Sequence, residues 1–381
     1  MFELRDYQKE AADAAIKFFS SKTKKNSIIV LPTGSGKSLV IADIAARLDA
    51  PVLIFQPSKE ILEQNFTKLC SYGVFDVGIY SASLNRKQVR GVTFATIGSV
   101  INNPDFFHRF KYVIVDECHL VNAEEGMYKQ FFGLIECKVL GLTATPYRLH
   151  SNSYGSILRF LTRTRPKVFS EVIYHSQVGD LLQSGYLANM NYYPMDIIDT
   201  DELKLNSTGA DYTDRSVRAH YRKINFNDKL EGIVERLLNA GRSSILVFTR
   251  FVEEAEYLVS IIGDKAAVVS ADTPKKEREA ILRRFKSGDI AVVANVGVLT
   301  TGFDFPELET VVLARPTMSL ALYYQMCGRA IRPCKNKTSW IVDLGGNYSR
   351  FGKVEELVMR KDEKGLWAIY SGKKQLTNVS F

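Results

Sequence analysis

Eight residues near the start of the chain, Leu31-Pro32-Thr33-Gly34-Ser35-Gly36-Lys37-Ser38, have the types needed to hold a polyphosphate. Gly34 and Gly36 let the backbone curl until successive amide groups face one anion. A helix starting near Lys37 adds its positive end. The Lys37 ammonium can reach the β and γ phosphates, and the Ser38 hydroxyl can ligate Mg²⁺. The strict GxxxxGK[ST] pattern is broken at its first position, where Leu31 stands. Downstream, the apolar run Tyr112-Val113-Ile114-Val115 ends in Asp116-Glu117-Cys118-His119. A carboxylate at a strand's carboxyl end lies where such sheets bind ligands. Asp116 can hold Mg²⁺ through water, and Glu117 can position and deprotonate an attacking water. Thr143 and Thr145, in Leu142-Thr143-Ala144-Thr145-Pro146, follow another apolar strand. Their hydroxyls can relay changes at the phosphate or simply close an ST-turn. Far along the chain, Gln325-Met326-Cys327-Gly328-Arg329-Ala330-Ile331-Arg332 supplies two arginines three positions apart. Phosphoryl transfer gains from positive charge over the moving group, so a phosphate loop and distant arginines point to a two-part engine.

The elements that must position these residues are read from apolar runs. Ser27-Leu31, Val52-Gln56, Val92-Ala95, Tyr112-Asp116 and Lys138-Leu142 read as strands, with helical patterns at Lys37-Arg47 and Ser58-Cys70. The rhythm returns at Ser244-Phe248, Ala266-Val269, Ile290-Ala294, Thr310-Ala314 and Ser339-Asp343, with helical patterns at Phe251-Ile262, Pro274-Ser287 and Ser319-Gly328. Short apolar strands alternating with helices argue for mostly parallel sheets flanked by helices, an α/β fold built twice. The expected division is a first α/β domain over 1–150, a connector or accessory segment over 151–226, a second domain over 227–345 and an extension over 346–381. Within the connector, Val178-Ser184 ahead of Gly185 reads as a short helix with a glycine stop. In the extension, Gly365-Tyr370 reads as a strand.

The chain has 381 residues, 46% of them hydrophobic and 24% charged, which suits a soluble protein of two domains. Its start, Met1-Phe2-Glu3-Leu4-Arg5-Asp6, is too charged for a signal peptide, and no apolar run reaches membrane-spanning length. Cys70, Cys118, Cys137, Cys327 and Cys334 form no CxxC pair, which points to reduced thiols in a cytoplasmic protein. His108, His150, His175 and His220 have no partner at metal-ligand spacing. The net charge of +8 favours a polyanion as partner. Arg159, Arg163, Arg165 and Lys167, interleaved with Tyr154 and Phe160, are either a duplex contact or a solvated charge run. Phe303 reads as a buried aromatic rather than a base-stacking wedge.

These motifs in this order resemble the superfamily 2 helicases of the DExH type, over about residues 4 to 345. Within that superfamily they are most similar to the RadD-type DNA repair proteins and related phage helicases. The resemblance implies two RecA-like domains with ATP and Mg²⁺ in the cleft between them. It implies that Arg5 and Gln8 read adenine and that Thr33, Gly34, Ser35, Gly36, Lys37 and Ser38 hold the phosphates. Ser38 and Asp116 would carry the metal, Glu117 the catalytic base role, and His119, Thr143 and Thr145 the coupling to movement. Gln325, Arg329 and Arg332 match the QxxGRxxR motif whose arginines act on the γ-phosphate, and Gly302 and Asp304 would complete the nucleotide contacts. Pro57, Ser58, Lys59, Thr96, Thr249, Arg250, Thr300 and Thr301 fall on motifs that touch the nucleic-acid strand. Two departures stand out. RadD-type proteins carry a further cysteine-rich region after these motifs, and many relatives have threonine where this chain has Val296.

The resemblance implies an ATP-dependent helicase or translocase, acting on DNA in preference to RNA, in repair, recombination or replication. It further implies a monomer, with single-strand-binding or repair proteins as partners. An ATP-gated clamp that remodels nucleic acid without unwinding it needs the same turnover residues and stays open as the alternative. A small-molecule P-loop kinase explains neither the second α/β domain nor the arginine pair.

Overall fold

A computed structural model of the chain describes residues 3–152, 155–300, 302–335 and 337–379. They fall into two compact units. The first comprises Met1–Arg148, Leu158–Gln177 and Lys361–Ala368, and the second Leu149–Ile157, Val178–Arg360 and Ile369–Phe381.

The first unit is built on an eight-stranded sheet. Its strands run in the order Glu171–His175, Ser27–Val30, Lys138–Thr143, Tyr112–Asp116, Val52–Phe55, Val92–Ala95, Val77–Ser81 and Arg86–Lys87. All neighbours are parallel except the last pair. The Ser27–Val30, Val52–Phe55 and Val92–Ala95 strands are buried at every residue, because helices cover both faces of a parallel sheet. Parallel pairing also brings the carboxyl ends of the central strands to one edge. The phosphate loop, Asp116 and Thr143 all follow from that edge. The helix Asp6–Ser20 packs through Ala11, Ala12, Ala15, Phe18 and Phe19. The helix Lys59–Cys70 is capped by Ser58, whose hydroxyl accepts from Ile61 N at 3.3 Å.

The second unit carries a six-stranded, wholly parallel sheet. Its order is Met190–Pro194, Ser339–Asp343, Thr310–Ala314, Ile245–Thr249, Val292–Asn295 and Ala266–Val269. Val247, Val292, Val312 and Val342 from these strands meet Leu230, Val234 and Leu258 from covering helices in one core.

The segment expected as a connector is divided between the units rather than forming a body of its own. Glu171–His175 adds an edge strand beside Ser27–Val30, and Met190–Pro194 adds one beside Ser339–Asp343. Both are partly exposed, so they lack the continuous apolar signature of the central strands. The helices Asp214–Lys223 and Phe226–Asn239 send Val217, Tyr221, Phe226 and Leu230 into the second core. The short helix Val178–Gln183 ends ahead of Gly185, whose φ of 70° only glycine adopts readily. The expected C-terminal strand is Trp367–Ser371, which pairs with Lys374–Gln375. The extension is likewise divided, since Lys361–Ala368 belongs to the first unit. No helix among the described residues is long and apolar enough to cross a membrane.

Candidate nucleotide site

The phosphate loop joins the Ser27–Val30 strand to the helix Lys37–Arg47, with Gly34 and Gly36 in the left-handed region at φ of 81° and 80°. It is held from the helix Asp6–Ser20. Gln8 Nε2 and the Tyr7 hydroxyl each donate to the Ser35 carbonyl at 2.7 Å, and Gln8 Oε1 accepts from Arg5 N at 2.9 Å. A side chain at Gly36 would strain its left-handed backbone and put a Cβ 2.6 Å from Gln8 Nε2, displacing that amide from the Ser35 carbonyl. Both ends of the Gln8 amide thus contact its own chain, and Oε1 accepts one of the two hydrogen bonds it can take. Within the loop, Thr33 is buried, and the buried Ser35 hydroxyl has no hydrogen-bond partner. An orphaned buried hydroxyl is costly, and a phosphate oxygen is the partner that would satisfy it here. Lys37 Nζ lies 3.6 Å from Glu117 Oε1, and Ser38 Oγ accepts from Lys68 Nζ at 2.9 Å.

Opposite the loop stand the strand-terminal acids. Asp116 is buried, with Oδ1 accepting from Glu117 N at 3.0 Å. Burial, and next the charge of Glu117, push the Asp116 carboxyl up to about 7 against the pull of Lys37. Glu117 itself sits in the left-handed region at φ 49°, a strained conformation for a non-glycine residue of the kind found at functional sites. His119 Nδ1 lies 2.9 Å from Thr143 Oγ1, 3.1 Å from Thr145 Oγ1 and 3.3 Å from Glu117 Oε2. Thr143 Oγ1 donates to Glu117 Oε2 at 3.5 Å, and Thr145 N donates to Thr143 Oγ1 at 3.0 Å. Lys37, Glu117, His119, Thr143 and Thr145 therefore form one connected set. Ser38 and Asp116 have the hard-oxygen character that suits Mg²⁺, an ion that keeps water and phosphate as its other ligands.

Ser58 is occupied as a helix cap between Pro57 and Lys59. Ahead of them, Gln56 Oε1 accepts from Asn65 Nδ2 at 3.1 Å, while its buried Nε2 has no partner. Thr96 Oγ1 is 2.9 Å from Ser99 Oγ. Arg163 pairs with Asp362 at 3.0 Å and Phe160 is buried, while Tyr154 lies outside the described residues.

In the second unit the helix Leu320–Cys327 carries Gln325 and runs into the two arginines. They differ sharply. Arg329 is 6% exposed, donates from Nη1 to the Phe303 carbonyl at 2.8 Å, and has Nε 3.3 Å from the Gln325 carbonyl. Arg332 pairs with the exposed carboxylate of Asp304, its buried Nε lacks a partner, and burial brings its guanidinium down to about 10. Gly302, at φ 74°, turns the chain ahead of Asp304. Phe303 is buried against Phe285 and Phe305, as its sequence context suggested. Thr249 is wholly buried and donates to the Phe251 carbonyl at 3.1 Å. Arg250 is held by Asp214 at 2.9 Å, Asp211 at 3.3 Å and the Tyr212 carbonyl at 2.6 Å. As folded, both are occupied inside their own unit. Thr300 is half-buried, and Thr301 lies outside the described residues. Beside Val296, the buried Asn295 accepts at Oδ1 from Val298 N and Leu299 N, which organises this loop. Asn295, Tyr7 and Lys68 were missed from sequence. Tyr7 adjoins Gln8, whereas Lys68 reaches Ser38 only through tertiary packing.

Residues 1–148 match the family described as the type III restriction enzyme res subunit, and residues 228–334 match the helicase conserved C-terminal domain. A Lactococcus phage protein of 51.5 kDa is 28% identical, over 85% of this chain and 67% of its own length. The DNA 3'-5' translocase XPB2 of Sulfurisphaera tokodaii is 27% identical, over 90% of this chain and 81% of its own. Among solved structures, a fragment of a putative HsdR subunit of a type I restriction enzyme from Vibrio vulnificus superposes with a TM-score of 0.69. It is 21% identical and covers 92% of this chain and 65% of that one, a likeness of fold. These relatives do not single out the RadD-type proteins. With both sheets and both motif sets in place, the chain is a superfamily 2 helicase, an ATP-hydrolysing enzyme of two RecA-like domains.

Proposed function

We propose that the chain couples ATP hydrolysis to movement along DNA. The observation that carries this is the connected set of Lys37, Glu117, His119, Thr143 and Thr145. It joins a phosphate-contacting ammonium and a catalytic carboxylate to the threonines expected to report the phosphate's state. The loop from Thr33 to Ser38 binds the phosphates, with Arg5 and Gln8 at the adenine end. Ser38 and Asp116 would hold Mg²⁺, which when bound offsets the charge of the β and γ phosphates. Glu117 orients the attacking water and takes its proton as the water oxygen bonds to the γ-phosphorus and the bond to the β-γ bridging oxygen breaks. His119 and the two threonines sense the change in charge at Glu117.

Arg329 and Arg332 supply positive charge from the second unit, with Gln325, Gly302 and Asp304 as neighbours. Their starting states differ. Arg332 need only exchange the Asp304 carboxylate for a phosphate, whereas Arg329 must give up the Phe303 carbonyl. DNA as substrate rests on the archaeal relative, a DNA 3'-5' translocase. Pro57 to Lys59, Thr96, Thr249, Arg250, Thr300 and Thr301 are the proposed strand contacts, mostly to phosphates. Strand displacement on tailed and forked duplexes tests the reading. ATP should release the strand and a nonhydrolysable analogue should not. Tight ATP-gated binding without displacement would favour the clamp instead.

A further inference from the structure

We propose that Asp343 and Asn347 are positioning residues for the arginine pair, forming a buried latch that fixes the helix Leu320–Cys327 from the strand that follows it. Asn347 is wholly buried. Its Nδ2 donates to the Arg315 carbonyl at 3.0 Å and to Asp343 Oδ1 at 2.8 Å, while its Oδ1 accepts from Thr317 N at 3.0 Å. Asp343 in turn accepts from Gly345 N at 3.0 Å and Tyr348 N at 2.6 Å. From Thr317 the chain of bonds continues into the helix. Thr317 Oγ1 accepts from Ser319 N at 3.0 Å, and Ser319 Oγ caps the helix by accepting from Leu322 N at 3.2 Å.

The other end of the helix is tied to the same strand. The Ala330 carbonyl, just past Arg329, accepts from the buried Ser339 hydroxyl at 2.7 Å and from Lys337 Nζ at 2.9 Å. Ser339 and Asp343 are the two ends of one strand. The strand and the turn after it therefore hold the chain on both sides of the helix, at Thr317 ahead of Leu320 and at Ala330 past Cys327. Gly345 is required, because a Cβ there would lie 2.4 Å from the Arg315 carbonyl. This gives the Asp343-Leu344-Gly345-Gly346-Asn347 phrase a task. Satisfied buried polar networks fix one geometry, and a misplacement of about 1 Å in a catalytic group can cost about a hundredfold in rate.

The inference rests on the reading of Arg332 as the arginine that serves the phosphate. Its test compares kcat and the KM for ATP, with DNA present, in Asn347→Ala, Arg332→Ala and the double variant. Leu237→Ala in the same unit provides a control for lost stability. Asn347→Ala should lose about a hundredfold in kcat, with an unchanged KM, while Leu237→Ala keeps its turnover despite a lower unfolding midpoint. The double variant should be no slower than Arg332→Ala alone, because the latch acts through the arginine. Ser339→Ala, which removes one hydrogen bond, carries the same comparison if Asn347→Ala does not fold. Wild-type kcat in Asn347→Ala, losses that multiply in the double variant, or an equal loss in Leu237→Ala would overturn the latch alone. Full turnover in Arg332→Ala would bring down the arginine reading and the latch with it.

Discussion

Removing the two arginines one at a time should separate folding from chemistry. Arg329→Ala deprives the Phe303 carbonyl of a donor at 2.8 Å and the Gln325 carbonyl of one at 3.3 Å, at a site only 6% exposed. A hydrogen bond from a charged donor contributes about 1.5–3 kcal/mol, so with the weaker second contact the loss is ~2–4 kcal/mol. For a domain of this size each kcal/mol moves the unfolding midpoint by about 2–4 °C, giving a fall of ~4–16 °C. Arg332 is different. Its partner Asp304 has a side chain 61% exposed, and a pair so screened contributes ~0–1 kcal/mol. Removing a half-satisfied buried guanidinium offsets part of that. Arg332→Ala should therefore shift the midpoint by less than ~4 °C. Turnover at saturating ATP and DNA should nonetheless fall about a thousandfold or more. Thermal unfolding and steady-state turnover, measured on the same preparations, check both halves. An unchanged midpoint in Arg329→Ala would contradict the buried anchoring of that side chain, and full turnover in Arg332→Ala would contradict its role at the phosphate.

Four further outcomes follow from the first unit. Lys37→Ala and Glu117→Gln should each abolish nucleic-acid-stimulated turnover, with Glu117→Gln still binding ATP in an equilibrium assay, since it keeps the loop and loses only the base. Because the Asp116 carboxyl is raised to about 7, acid pH should weaken metal binding. The Mg²⁺ concentration for half-maximal turnover should rise about tenfold per pH unit below 7 and level off above it, as a titration between pH 6 and 8 would show. Gln8→Ala removes one of the two donors to the Ser35 carbonyl and should raise the KM for ATP about tenfold. In the wild type, ATP should be hydrolysed in preference to GTP, and equal use of both would remove the adenine role of Arg5 and Gln8.

Both parallel sheets were legible because their central strands are buried on two faces and so read as unbroken apolar runs. Glu171–His175 and Met190–Pro194 were not, since an edge strand mixes exposed and buried positions. The phosphate loop and the Asp116-Glu117 pair were equally legible, as their chemistry lies in consecutive residues. The contacts that join them were not. Lys68 comes to Ser38 from a neighbouring helix, and His119 meets Thr143 and Thr145 across adjacent strands. The arginine pair shows the limit most clearly. Spacing gives Arg329 and Arg332 equal standing, and only tertiary packing sends one to a buried carbonyl and the other to an exposed carboxylate. The division of residues 151–226 between two units depends in the same way on which sheet each edge strand joins.

Coupling of ATP hydrolysis to DNA is read by turnover of the full chain against a panel of single-stranded, duplex, forked and gapped DNA and matching RNA. Turnover should be slow without nucleic acid, rise strongly with one or more DNA forms in a way that fades steeply with added salt, and show no such rise in Glu117→Gln. Turnover that no nucleic acid changes, or stimulation that survives in Glu117→Gln, would contradict this coupling.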